Sequence, residues 1–402
     1  MITINTAESA LKNIYLESVI HDLNEKTNPF LTMIGKNTKT IAERDARAAV
    51  RFGDEGSVAA GEEDSILPTA KDPRQADIVT PIKNLYGTFQ ITDKALRAAQ
   101  NSPGAFSSLL GGEMKNLVST AQNNLNRMVY GNGNAFVGFT VFHNAAGSMF
   151  HIPSRFKNNF YPGQKLVAMN PNNQQIGGVI TVNTINVIPT DATRMGITYT
   201  GTWPTTKFDR IYLYPAELAN LEMNGVDSLF LPETLYNLKK ADYQEIMPFT
   251  SFDDDNNLNI LDEDVLIEFF DNLEEHTQGA ASDIILTHPN VRKALFENLR
   301  DTRNNIDVTE FQGGFKGFTF NGIPMYSDIR CMAGTAYALN SESFAMQQLC
   351  DWTWLEGEDG SILRPVTGKP VYSATLVKYA DLICEKPFLQ GKLTGYSALR
   401  WR

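Results

Sequence analysis

From Phe106 to Met128 an apolar residue returns at steps of four, four, three, four, four and three, by way of Leu110, Met114, Leu117, Ala121 and Leu125. That spacing is helical and lays one apolar stripe along one side. Ser102 stands at the N-cap position and Pro103 at the first helical position, where both are favoured. Gly131-Asn132-Gly133 then ends the run as C-terminal caps do. A helix over 103–130 is ~42 Å long at 1.5 Å per residue. Its polar side carries Gln122, Asn123, Asn124 and Asn126. A long helix with a single apolar stripe serves as a backbone on which other layers pack.

Ahead of it, residues 6–34 read as an N-terminal helical arm. Leu11, Ile14, Tyr15, Val19, Ile20 and Leu23 recur at three- and four-residue steps, and Asn28-Pro29 breaks the helix. The apolar face of this arm is exposed unless another element covers it. Residues 48–92 read as a long hairpin. Ala48–Phe52 is one strand, and the chain returns through Ala76–Thr80 and Leu85–Thr92. The tip between them is rich in glycine and acid, with Gly53, Asp54, Glu55, Gly56, Gly61, Glu62, Glu63 and Asp64. A lone two-stranded hairpin is marginal in water. With few core residues at its tip, such an arm makes physical sense lying across a neighbouring chain.

Beyond the long helix the pattern changes. Strands at Lys165–Ala168, Gly178–Val187 and Gly196–Thr200, separated by Asn170-Pro171-Asn172-Asn173 and Pro189-Thr190-Asp191, predict an inserted small β-barrel or meander at 160–203. Residues 208–258 are mixed, with a strand at Arg210–Tyr214. Residues 259–385 read as an α/β unit. Its helix runs from Asp262 to His276 with Leu266, Phe269, Phe270 and Leu273 on one face. A strand at Ile284–Leu286 and a helix opened by Pro289, carrying Val291, Leu295 and Leu299, come next. Short strands follow at Phe318–Phe320, Pro324–Tyr326 and Ala336–Leu339. Ser341 is placed as the cap of a short helix, and Val371–Ala380 as a late strand.

At 402 residues the chain has room for two or three domains. With 42% hydrophobic and 20% charged residues it has the composition of a folded protein. No run approaches the ~20 apolar residues of a membrane-spanning helix, and Met1–Ala10 lacks the features of a secretory signal. Cys331, Cys350 and Cys384 are far apart and form no Cys-x-x-Cys pair, which fits a reducing compartment such as a bacterial cytoplasm. The formal net charge of −11 and a pI near 5.1 argue against a protein that grips nucleic acid through a basic face. If such a chain works near DNA, it encloses the DNA rather than clamping it.

Several motifs were weighed as chemistry. Gly131-Asn132-Gly133 follows a helix, whereas a phosphate-binding loop must follow a strand and open a helix. Asp253, Asp255, Asn257, Asn259 and Asp264 fall at positions 1, 3, 5, 7 and 12 of a calcium loop, but Leu258 stands where the sharp turn needs glycine. A solvated acidic loop, with Asp262 and Glu263 near a helix N-terminus, explains that run. His21, His143, His151, His276 and His288 show no metal-ligand spacing. Trp352 and Trp354 share one face of a strand and read as packing residues. No catalytic, cofactor-binding or metal residue is assigned.

The order of parts is more specific than any motif, and it resembles the major capsid proteins of tailed double-stranded-DNA bacteriophages, of the Hong Kong 97 type. Leu85-Tyr86-Gly87-Thr88-Phe89-Gln90-Ile91-Thr92 is similar to the return strand of their E-loop. Gly112-Glu113-Met114 through Leu125-Asn126-Arg127, ending at Tyr130-Gly131-Asn132-Gly133, resembles their spine helix and its exit. Leu235-Tyr236-Asn237-Leu238-Lys239-Lys240 resembles the stretch before their A domain. Leu286-Thr287-His288-Pro289 with Val291-Arg292, then Gly313-Gly314-Phe315 and Phe320-Asn321-Gly322-Ile323-Pro324, resemble steps within it.

The resemblance implies an α+β fold in seven parts. These are an N-arm at 1–47, an E-loop hairpin at 48–92, a P domain with the spine helix at 93–159, the inserted β module at 160–203, a P-domain continuation at 204–258, an α/β A domain at 259–385 and a C-terminal segment at 386–402. It implies no enzyme and no cofactor. The implied role is a subunit that forms hexamers and pentamers in the icosahedral shell of a virion, assembled in the host bacterial cytoplasm. The implied partners are further copies of the chain, a portal protein, scaffolding and decoration proteins, and enclosed double-stranded DNA held without sequence preference; no membrane is involved. Positive charge facing that DNA is expected from scattered residues such as Lys12, Lys115 and Arg127. An encapsulin-like compartment shares the fold but is usually shorter and lacks the β insertion. A soluble α/β enzyme would need a converged catalytic set, and none is found.

Overall fold

The structure is a computed structural model that describes residues 11–37, 41–42, 44–52, 60, 74–99, 103–144, 147–170, 174–189, 191, 194–204, 210–216, 218–231, 233–252, 263–293, 308–310, 316–332 and 334–395. The helices are α1 (Leu16–Glu25), α2 (Pro29–Met33), α3 (Asp93–Ala99), α4 (Pro103–Val129) and α5 (Glu263–His276). A wider helical turn, Leu11–Tyr15, leads into α1. Of the apolar stripe predicted for the long helix, Leu110, Met114 and Leu125 are buried and Leu117, Ala121 and Met128 partly so; Val129, outside that stripe, is buried as well. Ser102, its expected cap, lies outside the described residues. At the other end the Gly131 N–H returns to the Met128 carbonyl, and Gly133 takes a positive φ of 81°.

A five-stranded sheet lies against α4. Strand Val371–Cys384 is its centre, flanked by Phe344–Trp354 and Lys83–Thr92; Gly35–Asn37 and Arg364–Pro365 complete it. In Lys83–Thr92 the residues alternate, with Leu85, Phe89 and Ile91 buried and Tyr86, Thr88 and Gln90 exposed. Gly87 shares the inward face. A Cβ there would stand 3.0 Å from Leu117 Cδ1, so the missing side chain lets the strand approach the helix closely. The late strand, expected within the α/β unit, therefore belongs to a different sheet. Its pairing partner lies some 290 residues earlier in the chain, which no local periodicity reveals.

The β insertion is a barrel. Its strands run in the order Gly138–Thr140, Ile211–Pro215, Lys165–Met169, Ile180–Val187, Arg194–Gly201, Met149–Pro153, Phe142–Asn144. The first and last are one stretch of chain bent at Val141, whose N–H donates to the His151 carbonyl at 2.9 Å. The sheet thus closes and leaves no long free edge. Phe150, Ile152, Leu166, Ile180, Ile197 and Leu213 fill it as a core of its own. The expected segment 160–203 is only its middle. The strand at 210–214, read as mixed sequence, and the short strands before 160 complete it, because Phe139, Phe150, Ile152, Ile211 and Leu213 line its interior.

A second seven-stranded sheet runs Phe249–Phe252, Gly391–Thr394, Ala336–Leu339, Ile284–Thr287, Ile323–Ser327, Lys316–Phe320, Val308–Glu310. Helix α5 covers it with the predicted Leu266, Phe269, Phe270 and Leu273, against Ile285, Met325, Ala336, Ala338 and Leu393. The strands expected at 284, 318, 324 and 336 are all present; Val308–Glu310 is added at one end, and Phe249–Phe252 and Gly391–Thr394 come from outside the 259–385 span. Asn340, not Ser341, caps the short helical turn Ser341–Ser343, through its side-chain oxygen on the Ser343 N–H. Of the helix opened by Pro289, residues 289–293 are described; Leu295, Leu299 and Gly313-Gly314-Phe315 lie outside the described residues.

Candidate assembly arms

The hairpin pairs Asp45–Phe52 with Arg74–Pro81, from Asp45 opposite Pro81 to Phe52 opposite Arg74. The tip at 53–59 and 61–73 lies outside the described residues. The expectation of few core residues concerns that tip; the described base of the hairpin does contribute core residues. Ala46, Ala48, Val50, Phe52, Ala76 and Ile78 are buried on one face, in the same core as Leu229, Leu235, Leu238 and Ile246. Phe52 meets Tyr243 edge-to-face, and Arg74 pairs with Glu245 at 2.7 Å. Asn237 accepts from the Val79 N–H at 2.7 Å and donates to the Asp77 carbonyl at 3.1 Å, so its amide stands in for a neighbouring strand. Three of the six buried hairpin residues are alanines, whose small side chains give little periodic signal in a sequence.

At the hairpin root the fully buried carboxylate of Asp381 accepts from three donors. These are the Thr80 hydroxyl at 2.7 Å, the Asn224 N–H at 2.8 Å and the Asn224 amide at 2.7 Å. Thr80 ends the return strand, Asp381 lies in the long strand, and Asn224 sits on the connector that leaves the barrel. Burial pushes Asp381 up to about 6, against the pull of those donors.

The N-terminal helices are also held by their own chain. Leu11, Val19 and Leu23 are buried, and the Trp354 indole N–H donates to the Leu11 carbonyl at 3.2 Å. Lys12 pairs with Glu356 at 2.8 Å and donates to the Gly360 carbonyl. Gln122 of α4 donates to the Asp22 carbonyl. Asn28, read as a helix breaker, caps α2 by accepting from the Phe30 N–H, while its amide reaches Asn126 and Tyr130 of the α4 exit. Asn126 in turn donates to Asp328, and Arg330 reaches Asn123 and the Asn158 carbonyl, so α2, α4, the second sheet and the barrel are tied in series.

Arg127 forms a two-pronged pair with Glu222, both side chains nearly buried. Of the three cations expected to face DNA, Lys12 and Arg127 are thus engaged within the chain, and Lys115 is the exposed one. Trp352 and Trp354 are buried on the inward face of their strand, as expected. The acidic run at 253–262 lies outside the described residues; Asp264 is exposed in the first turn of α5. Among the described residues no group of His, Cys, Asp and Glu is placed to hold a metal, and no helix is long and apolar enough to cross a membrane. His288 sits at a strand end, where burial pushes it down to about 4. His143 stacks on Trp203 inside the barrel's aromatic cluster.

No protein-family profile matches the chain, and no curated protein matches it in sequence. Solved structures do match. The capsid subunit of cyanophage A-1(L) superposes with a TM-score of 0.55 at 11% identity, over 96% of this chain and 95% of that one. The fold is that of a tailed-phage capsid subunit. The encapsulin of the holo-SrpI complex from Synechococcus elongatus gives 0.46 at 9% identity, over 94% and 90% of the two chains. A Mycobacterium phage Bobi structure gives 0.43 at 10%, over 98% of each.

Proposed function

We propose that this chain is a major capsid protein that assembles as hexamers and pentamers into an icosahedral shell around a phage genome. The observation that supports this most is the likeness to the cyanophage capsid chain over 96% of this chain and 95% of that one. In this reading the helices before Asn28 are the N-arm, the hairpin is the E-loop and α4 is the spine helix. The α5-covered sheet is the A domain. A single chain that builds a closed shell needs head-to-tail contacts that close into rings. A hairpin rooted in its own subunit is an element suited to such a contact.

The proposed partners are other copies of the chain, a portal protein, scaffolding and decoration proteins, and enclosed double-stranded DNA held without sequence preference. The proposed location is the virion, after assembly in the bacterial cytoplasm. Electron microscopy of the expressed chain tests the reading. Closed particles with hexamers and pentamers support it, and monomers at high concentration with scaffolding partner supplied overturn it. Particles purified from infected cells that carry a protein cargo instead of DNA would mark an encapsulin compartment.

A further inference from the structure

At Asp381 three separately built parts of the subunit converge on a single ionisable group. The return strand of the hairpin supplies Thr80, the connector from the barrel supplies Asn224, and the long strand supplies the carboxylate itself. Asn224 also donates to the Thr80 hydroxyl at 3.0 Å and bridges to Asn132 just past the α4 exit. The three donors to the carboxylate are all neutral. The groups around it are few: Lys83 on strand Lys83–Thr92 draws its charge from a distance while donating to the Asn220 carbonyl, and Tyr236 from the turn Thr234–Lys239 faces it as a neutral phenol. Gln347 is its neutral partner across strand Phe344–Trp354. The connector's own carboxylate, Glu222, is held by Arg127.

An ionised carboxylate in a fully buried site, bonded only to neutral donors, carries a desolvation cost that three hydrogen bonds offset in part. Opening the root returns the carboxylate to water and removes that cost. Adding a proton removes it without opening. The acid hydrogen then lies between Oδ2 and the Thr80 hydroxyl, which turns from donor to acceptor, while the Asn224 N–H keeps its bond to Oδ1. Closure and proton binding therefore favour each other.

We propose that Asp381 is a proton-tightened joint at the root of the hairpin: uptake of one proton clamps strand Arg74–Pro81 and the barrel connector onto strand Val371–Cys384, and ionisation loosens all three. The direction is opposite to the usual loosening of a protein by acid. At neutral pH the hairpin is rooted but poised to swing. Below about pH 6 it is fixed in place.

The test is hydrogen exchange on the free, full-length subunit, corrected for the intrinsic pH dependence of exchange. Between pH 8 and pH 5 protection of amides in 74–92 and 218–225 should rise about tenfold, the gain expected when the closed root binds the proton about two pH units more tightly than the open one. Amides of Ile284–Thr287, in the second sheet, serve as the reference and should not follow. Asp381→Asn, neutral at every pH, should hold protection level across the range. Thr80→Val removes a donor to the ionised form and should move the midpoint of the change to higher pH, which keeps the test decisive if Asp381→Asn does not fold. Protection that is flat or falls on acidification in the parent chain overturns the proposal, and so does an unmoved midpoint in Thr80→Val. Because the subunit is unassembled, failure to form shells leaves this result untouched.

Discussion

The Arg127 guanidinium on the last turn of α4 grips both oxygens of Glu222, on the connector that leaves the barrel, with both side chains nearly out of reach of water. This pair couples the long helix to the inserted module, and it explains why Arg127 is not spare for DNA. Arg127→Ala leaves a buried carboxylate unpaired and should cost about 3–5 kcal/mol. Replacing both partners by apolar residues, Arg127→Met with Glu222→Leu, should cost much less. Urea melts of the free subunit distinguish the two; equal losses would show that the ion pair is not what matters there.

Two glycines make a second prediction, with different outcomes for the same change. A Cβ on Gly225 would lie 2.1 Å from the Met128 carbonyl oxygen and 2.5 Å from that of Val129, both backbone atoms that end α4. A Cβ on Gly87 would meet only the tip of Leu117 at 3.0 Å. Gly87→Ala should therefore cost about 1 kcal/mol, near the low end for overpacking, whereas Gly225→Ala should exceed about 3 kcal/mol and leave little soluble subunit. Thermal melts and soluble yield check both. A tolerated Gly225→Ala would mean that the connector does not seat against the helix end.

His288 supplies a pH prediction. Its imidazole is pushed down from 6.5 to about 4 by burial, so the folded chain prefers the neutral ring. A depressed histidine stabilises fully above its unfolded value, and the stabilisation fades as pH falls from about 6.5 through 4. The loss at pH 4 should be roughly 2–3 kcal/mol. His288→Asn, which keeps an acceptor for the Asn290 N–H, should abolish that part of the slope in urea melts taken from pH 7 to pH 4. Asp381 works in the opposite sense across the same range, so each group is best measured in a chain where the other has been replaced.

The proposed E-loop is tested by shortening it. Removing residues 56–70 should leave the buried base of the hairpin, and hence a folded soluble subunit, because the described core contacts all come from 45–52 and 74–81. The expected deficit is in closed particles by electron microscopy. Normal shells from the shortened chain would show that the tip is dispensable.

The barrel is expected on the outer side of the shell. Its core is separate from that of the sheets on α4, so a short epitope inserted at Asn172, between strands Lys165–Met169 and Ile180–Val187, should be tolerated. Antibody should label it on intact particles. Labelling only after the particles are broken would place the barrel inside.

Where side chains repeat with a regular period, the sequence was legible. The stripe on α4, the apolar face of α5 and the alternation along Lys83–Thr92 each translate directly into a buried side. Burial was read less well at the margins: Leu117 belongs to the α4 stripe yet is only partly covered, because the residue opposite it is glycine. Pairing over long distances was not legible. Nothing in Val371–Cys384 names Lys83–Thr92 as its neighbour, and short barrel strands such as Phe142–Asn144 carry too few residues for a period. The anchors were missed for another reason. Asn237, Asn224 and Asn28 act through single amides on backbone or carboxylate atoms, and an isolated asparagine in a sequence gives no direction.

The pairing of Lys83–Thr92 with Val371–Cys384 also has a consequence in time. Thr88 and Thr375, hydrogen-bonded across that pair, are 287 residues apart in the chain. At synthesis rates of about 5–20 residues per second the second appears roughly 15–60 s after the first. Until then the hairpin has its contacts to residues 229–246 but lacks the pairing of Lys83–Thr92 and the Asp381 root. A chain terminated before Val371 lacks both the pairing strand and Asp381, so the root of the hairpin is completed only near the end of synthesis.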